Sequence, residues 1–543
     1  MVSSNLTKLI LLSGVLLILL SAGTMMRDLT FPDELRYAEV SREMLDSSNW
    51  ILPHFNYEIY ADKPPFFFWM MSACMKAFGI HPLSAMLPTI FSALLTVLVT
   101  YLLGKEIYDE TVGLYGSWIL STFLFFLLMA QIVRMDMTLT LLVTTSLYLF
   151  YQGIKESGRS IYPVLAGYLL IGIALMTKGP VGLILPMITV LSYLILTKKV
   201  HAIKYLYPAR GFMITAGIPL LWLILAGLQG GEAYVKELLL TQSTGRITTS
   251  FSHARPFYYY LLYFPFIFVP WSFFLLLFLD TGIRKKLVEE KEKLLFLLSW
   301  VLGTLIFFSL ISGKVLIYLL PLMPALALLI ARVFTLIRKD QKILQKPYLF
   351  KIPAYLICGI CLLGPAVFYT MDLRAAFINE WSNIFPIIFI LIFFGIILFY
   401  PAYRLYIVQT LVTTGLISIF FTATVTLWVV PRINPIISLR PMAQRILAIE
   451  KDHPRTAGYN VHFPFLAYYL HTPYVEVMTN DALSTFVQKD RGFLIIHQQY
   501  LKDVKDSVNV NLMNVGRFNL KGITYLLLRI QESPERVSDL TIG

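Results

Sequence analysis

Apolar stretches of roughly 17–23 residues recur along this chain, and nothing else in it restricts the fold as severely. A run of that length matches the thickness of a bilayer's hydrocarbon core when wound as a helix. The runs fall at 7–25, 84–103, 112–130, 137–151, 161–176, 180–197, 211–229, 257–279, 294–311, 315–336, 352–370, 384–400 and 405–430. They predict an all-α polytopic membrane protein with about thirteen transmembrane helices. Composition agrees: 57% of the 543 residues are hydrophobic and only 14% are charged.

The net charge of +13 does not point to nucleic acid. The basic residues sit in short loops between spans and form no basic domain. The loops 104–111, 152–160, 198–210, 280–293, 337–351 and 401–404 hold about 18 Lys and Arg, and that excess marks the cytoplasmic side and contact with anionic membrane lipids. The N-terminus is then expected inside, on an uncleaved first span. The long loop 26–83 and the tail 431–543 are expected outside. The three cysteines lie within or beside apolar runs, and Cys358-Gly-Ile-Cys361 reads as helix packing rather than a redox or metal motif.

The first outer loop has structure of its own. Residues 36–45 place Tyr37, Ala38, Val40 and Met44 at helical spacing, which predicts an amphipathic helix lying along the interface. Pro64 and Pro65 lead into an aromatic run, and a second interfacial helix is expected over 66–79. After about residue 440 the charge rises and short β-rich runs appear at 474–478, 492–496 and 523–528, with helical stretches at 441–451 and 480–488. This is the pattern of a small C-terminal α/β soluble domain. The expected division is 1–436 for the membrane domain, which includes loop 26–83, and 437–543 for the tail domain, whose expected role is structural or to cover the active face.

Charged residues gather at the outer ends of the spans. The first loop carries the carboxylate pair Asp33-Glu34 followed by Arg36, then Asp62 and Lys63. Short outer turns supply Arg134 and Asp136, Lys178, and Lys314 with Tyr318 one turn further on; a longer outer loop supplies Arg246, His253 and Arg255. A basic residue in every outer turn runs against the topology bias. Several cations converging at a membrane surface suit a phosphate, and Lys314 joins that set. Two or more carboxylates in the same place, with Asp33, Glu34 and Asp136 the candidates for catalysis, suggest a second job such as binding a metal, a sugar amine or a hydroxyl. Singly, each has a plainer reading: lysines and arginines reach for headgroups, Lys314 caps a hairpin, and an isolated histidine is an interfacial hydrogen-bonder. A transporter of lipid-linked anions is the competing class. It would place ionisable groups near the midplane and show inverted repeats, whereas these charges keep to one side.

Asp33-Glu34-Leu35-Arg36-Tyr37-Ala38-Glu39, Asp62-Lys63-Pro64, Arg134-Met135-Asp136, Thr177-Lys178-Gly179-Pro180, His253-Ala254-Arg255-Pro256-Phe257-Tyr258-Tyr259 and Ser312-Gly313-Lys314 leading to Tyr318 occur in this order. Over roughly residues 1–430 the chain resembles the GT-C glycosyltransferases. The nearest branch is the ArnT-type lipid A 4-amino-4-deoxy-L-arabinose transferases, relatives of the protein O-mannosyltransferases. The resemblance implies a sugar donor on a polyprenyl phosphate, an outer-leaflet acceptor and inversion at the anomeric carbon. Lipid A is the expected acceptor, with a protein or glycan hydroxyl as the alternative. It implies that Asp33 and Asp136 are the catalytic carboxylates, that Lys63 and Tyr318 contact the donor phosphate with Arg246 or Arg255, and that His253 and Asp62 lie at a divalent metal (Zn, Mg or Mn). Asp62 stands where the ArnT-type pattern has Glu. The expected setting is a bacterial inner membrane, with the protein monomeric and its tail in the periplasm.

Overall fold

In the computed structural model the described residues are 4–30, 32–238, 255–370, 385–488, 492–508 and 510–531. Their packing forms two compact units. The first comprises Met1–Thr24, Ala61–Met70 and Met86–Trp428; the second comprises Met25–Tyr60, Met71–Ala85 and Val429–Gly543.

The first unit is helical. Among the described residues, seven helices are long and apolar enough to cross a bilayer: Thr7–Met25, Pro82–Ile107, Met135–Lys155, Pro208–Lys236, Lys291–Leu310, Leu316–Lys339 and Ile407–Ile437, the last running on past Trp428. Tyr259–Ile267 and Trp271–Leu279 form a pair bent by 109°, which makes an eighth if counted as one broken span. Pro270 stands at that break, where it has no N–H to offer a continuing helix. Four further expected spans fall on shorter apolar helices, Tyr162–Lys178, Val181–Leu196, Tyr348–Gly364 and Ile388–Tyr403. The expected span 112–130 is interrupted at Thr122–Phe123, between helices Glu110–Ser121 and Leu124–Met129. The protein is thus a mostly helical, multi-pass membrane protein. The count of thirteen exceeds the seven or eight full-length spans because several runs are cut short by breaks or turns. Cys358 and Cys361 are buried and unbridged, as expected of packing residues.

The second unit joins parts of the first outer loop to the tail. Its sheet has five strands, β3 (Thr456–Tyr459), β4 (Tyr474–Val477), β5 (Gly492–His497), β6 (Asn511–Leu520) and β7 (Ile523–Gln531), in the order β4-β3-β5-β7-β6. Strand β3 runs parallel to β4 and β5, while β7 pairs antiparallel with β5 and β6, so the sheet is mixed. Central β5 is buried at Phe493, Leu494, Ile495 and Ile496, the unbroken apolar run of a strand covered on both faces. Helices Arg440–Ile449 and Asn480–Gln488 match the expected ones within two residues. Strands β3 and β6 were not legible. β3 is four residues long and contains Gly458, where a Cβ would collide with the Tyr474 hydroxyl. β6 is a polar edge strand.

The helix expected to lie on the interface spans Pro32–Ser47. Its expected apolar face is buried, but so are Glu34, Glu39, Arg42 and Glu43. This corrects the one-sided interfacial picture. The helix packs against β1 (His54–Phe55) and against tail residues 464–470, and its charges are satisfied internally. Arg42 donates to both oxygens of Glu39 at 2.7 Å and also bonds Asp46. Asp28 accepts from Arg440 at 2.9 Å and from the Ser438 hydroxyl at 2.8 Å.

A small hairpin adds to these contacts. β1 pairs with β2 (Glu58–Ile59) across the turn Asn56-Tyr57, where both residues have positive φ, the geometry of the tight turns that favour Asn and Gly. The Asn56 side chain donates to the Tyr474 carbonyl at 3.0 Å and accepts from its N–H at 2.8 Å. It thereby occupies backbone groups of β4, an edge strand whose outer side would otherwise invite another strand. These bonds are why the packing groups residues 25–60 with the tail, where the sequence division had left them with the membrane domain. The second helix of the loop spans Phe66–Phe78, close to the expected 66–79.

Candidate functional site

The first unit brings three candidate groups together. Asp136 lies in the first turn of helix Met135–Lys155, where the helix dipole favours a carboxylate. Lys178 ends helix Tyr162–Lys178, where the dipole favours a cation. Gly179 follows at φ 70°, the left-handed conformation in which a helix commonly stops. The two side chains form an ion pair, with Asp136 buried and Lys178 partly so. The same ammonium lies 4.5 Å from the centre of the Tyr318 ring. Tyr318 in turn stacks on Phe308 at 5.1 Å. A cation held between a carboxylate and an aromatic face is fixed in position.

Lys63 and Asp62 belong to the same unit. The Lys63 ammonium is 3.4 Å from the Asp62 carboxylate and carbonyl, and both side chains are largely shielded from solvent. Lys314 is buried, and its ammonium donates to the carbonyls of Arg255, at 3.1 Å, and Ile311. Burial lowers its pKa. In this arrangement Lys314 ties the hairpin end to the segment beginning at Arg255, whose own N–H donates to Ser312 at 3.2 Å. The Arg255 side chain is exposed. Arg246 and His253 lie outside the described residues.

Asp33 and Glu34 belong to the second unit. Asp33 is half-buried in the first turn of helix Pro32–Ser47, 3.5 Å from Arg36. Glu34 is fully buried. Arg27 grips both its oxygens, one bond measuring 3.1 Å, and the Thr30 N–H adds another at 3.2 Å. A carboxylate so engaged anchors the helix start beside Asp33. The two neighbours in sequence therefore have different environments, which their shared acidity did not reveal.

Sequence reasoning named Lys178 among the converging charges but assigned it no role. Its place at a helix end before Gly-Pro was the available signal. The residues expected to hold a metal do not assemble a ligand set among the described residues. No group of three or more His, Cys, Asp or Glu side chains comes together there, and Asp62 faces a lysine.

Residues 62–222, which include Lys63, Asp136 and Lys178, match the family of dolichyl-phosphate-mannose-protein mannosyltransferases. The undecaprenyl phosphate-alpha-4-amino-4-deoxy-L-arabinose arabinosyl transferase of Enterobacter sp. (strain 638) is 31% identical over 341 residues, covering 61% of this chain. The matched stretch spans 60% of that relative's length. Among solved structures, ArnT from Cupriavidus metallidurans bound to undecaprenyl phosphate superposes with a TM-score of 0.78 at 20% identity, over 96% of this chain and 97% of that one. An oligosaccharyltransferase from Archaeoglobus fulgidus gives a TM-score of 0.55 at 12% identity, over 94% of this chain and 69% of that one. The chain is thus similar in sequence, over part of its length, to these transferases, and it shares the fold of the solved ArnT structure.

Proposed function

We propose that this protein transfers a sugar from a polyprenyl phosphate to an acceptor at the outer face of a bacterial inner membrane. The observation that carries the reading is the fixed Asp136–Lys178–Tyr318 cluster, with the shielded Lys63 in the same family-matched segment.

In the proposed reaction the bond between the sugar's anomeric carbon and the phosphate oxygen breaks, and an acceptor oxygen bonds to that carbon from the opposite face. The departing polyprenyl phosphate keeps the electron pair, so no strong general acid is needed. Lys63 meets the charge that grows on the phosphate, and Tyr318 contacts the phosphate. Asp136 and Lys178 hold each other in place, so neither must reorganise as charge moves. Asp33 takes the proton of a hydroxyl acceptor, or, with a phosphate acceptor that is already anionic, stabilises positive charge on the sugar.

The donor sugar we assign is 4-amino-4-deoxy-L-arabinose and the acceptor lipid A, on the name of the Enterobacter relative and the sequence resemblance. The second reading, transfer to a protein or glycan hydroxyl, draws on the mannosyltransferase family match. Mass spectrometry of lipid A from cells with and without the gene separates them: a pentosamine added only in its presence supports the first reading, and unchanged lipid A refutes it. A divalent cation near Asp62 and His253 is a separate part of the proposal. Chelation of the purified protein tests it, and no step above depends on it.

A further inference from the structure

The second unit contains a cleft of about 800 Å³ that the transfer chemistry does not use. That is the size of a small-ligand site. Its walls come from the tip of the first-loop hairpin, the segments before β3 and β4, and helix Asn480–Gln488. Tyr57, His453, Arg455, His471, Thr485 and Phe486 are among the lining side chains, and no Asp or Glu is.

Three of these residues have left-handed backbones: Tyr57 at φ 65°, His453 at φ 49° and His471 at φ 55°. Turns of this kind are cheapest with Gly or Asn. A tyrosine and two histidines occupy them instead, and strain retained at such positions points to a use for the side chains. The strained turn is held firmly. The Tyr57 N–H is shared by both oxygens of Glu43, at 3.0 and 3.1 Å, and its hydroxyl donates to the His471 carbonyl at 2.9 Å. Arg455 is also set in place. Its guanidinium lies 4.6 Å from the centre of the Phe486 ring and donates to the Phe486 carbonyl at 3.3 Å. A planar, pre-oriented guanidinium suits phosphate. Two imidazoles at the rim add donors for the same anion, the Tyr57 ring and neighbouring prolines offer apolar faces to a sugar ring, and the Thr485 hydroxyl, which donates to Asp481 at 2.8 Å, keeps lone pairs for a sugar hydroxyl.

We propose that this cleft binds a phosphorylated saccharide, presented either as the headgroup of a glycolipid or as a free sugar phosphate. This role is separate from bond making and breaking, so its test needs no turnover. Calorimetry on the full-length protein in phosphatidylcholine nanodiscs, titrated with glucose 1-phosphate, glucose and inorganic phosphate, reads the free ligand. Binding to nanodiscs prepared with and without lipid A reads the lipid-borne one, by competition with glucose 1-phosphate.

The expected result is that glucose 1-phosphate binds more tightly than glucose or phosphate. His453→Asn with His471→Asn, substitutions the left-handed backbone tolerates, should weaken it about tenfold or more. Ala482→Trp, on the exposed helix face lining the cleft, should block it without removing a charge. Lys63→Ala and Asp33→Asn should leave this binding unchanged, which separates it from the catalytic reading. If lipid A nanodiscs abolish the glucose 1-phosphate signal, the glycolipid is the source; if they leave it intact, the free sugar phosphate is. Unchanged affinity in the double histidine variant, unimpeded binding in Ala482→Trp, or equal binding of inorganic phosphate would each overturn the proposal.

Discussion

Two groups of shielded charges, one in each unit, differ in construction. In helix Pro32–Ser47, Arg42 meets Glu39 and Asp46 within two turns, and Glu43 stands beside them. The charged partners of Arg42 all lie within that helix, and the helix end, the Tyr57 turn and tail residues 464–470 build on that cluster. In the other unit Asp136 and Lys178 come from two helices, 42 residues apart in sequence, and share one ion pair and one aromatic ring. The first arrangement spends its charges on one another and holds a shape. The second holds one carboxylate and one ammonium ready at helix ends. Burial of charge is thus no guide to catalysis by itself; what matters is how completely the charge is already answered.

The largest effect expected is on chemistry. Asp33→Asn should lower the turnover rate by about 10²–10⁴-fold with expression intact, measured on purified protein. Arg42→Met comes next and acts on the fold. It leaves Glu39 buried without its bidentate partner, at a cost of about 3–5 kcal/mol, so the yield of folded protein should fall sharply. Lys178→Met also leaves a buried carboxylate, Asp136, but breaks one ion pair and not a bidentate one, so it should cost less fold than Arg42→Met while losing turnover. Equal loss of fold in the two variants would erase the contrast. Lys63→Ala should weaken donor binding by about 10–100-fold with a smaller change in the chemical step, as read by donor titration.

The smallest effect concerns pH. Burial, then the neighbouring Glu39, pushes the Glu43 carboxyl up to about 8. An acid whose pKa is higher in the folded state favours folding when protonated. Its stabilisation is complete below the unfolded value, near 4.5, and is lost as pH rises toward 8. The thermal midpoint should therefore fall by a few degrees between pH 5 and pH 8, and Glu43→Gln should flatten that slope. An unchanged slope in the variant would assign the dependence to other groups.

Most of the membrane architecture was legible because apolar length is a direct demand of the bilayer. The tail's strands at 474, 492 and 523 were legible from β-rich runs. The four-residue β3 and the polar edge β6 were not, since their pairing is decided by neighbours far along the chain. Asp136 and Lys178 each stood out as charges at a span end, but only folding shows that they meet. Glu34 was indistinguishable from Asp33 in sequence, because the difference lies in Arg27 and Thr30. The joining of the first loop to the tail was hidden for the same reason, depending on single side chains such as Asn56 and Asp28.

Central to the proposed reaction is a sugar leaving a polyprenyl phosphate under the control of these residues. The most direct measurement gives purified protein in nanodiscs radiolabelled undecaprenyl phosphate-4-amino-4-deoxy-L-arabinose together with lipid A, and follows both labelled lipid A and released undecaprenyl phosphate. Equal amounts of the two are expected from the wild type and neither from Asp33→Asn. Undiminished transfer by Asp33→Asn, or no release by folded wild-type protein, would contradict the proposed reaction.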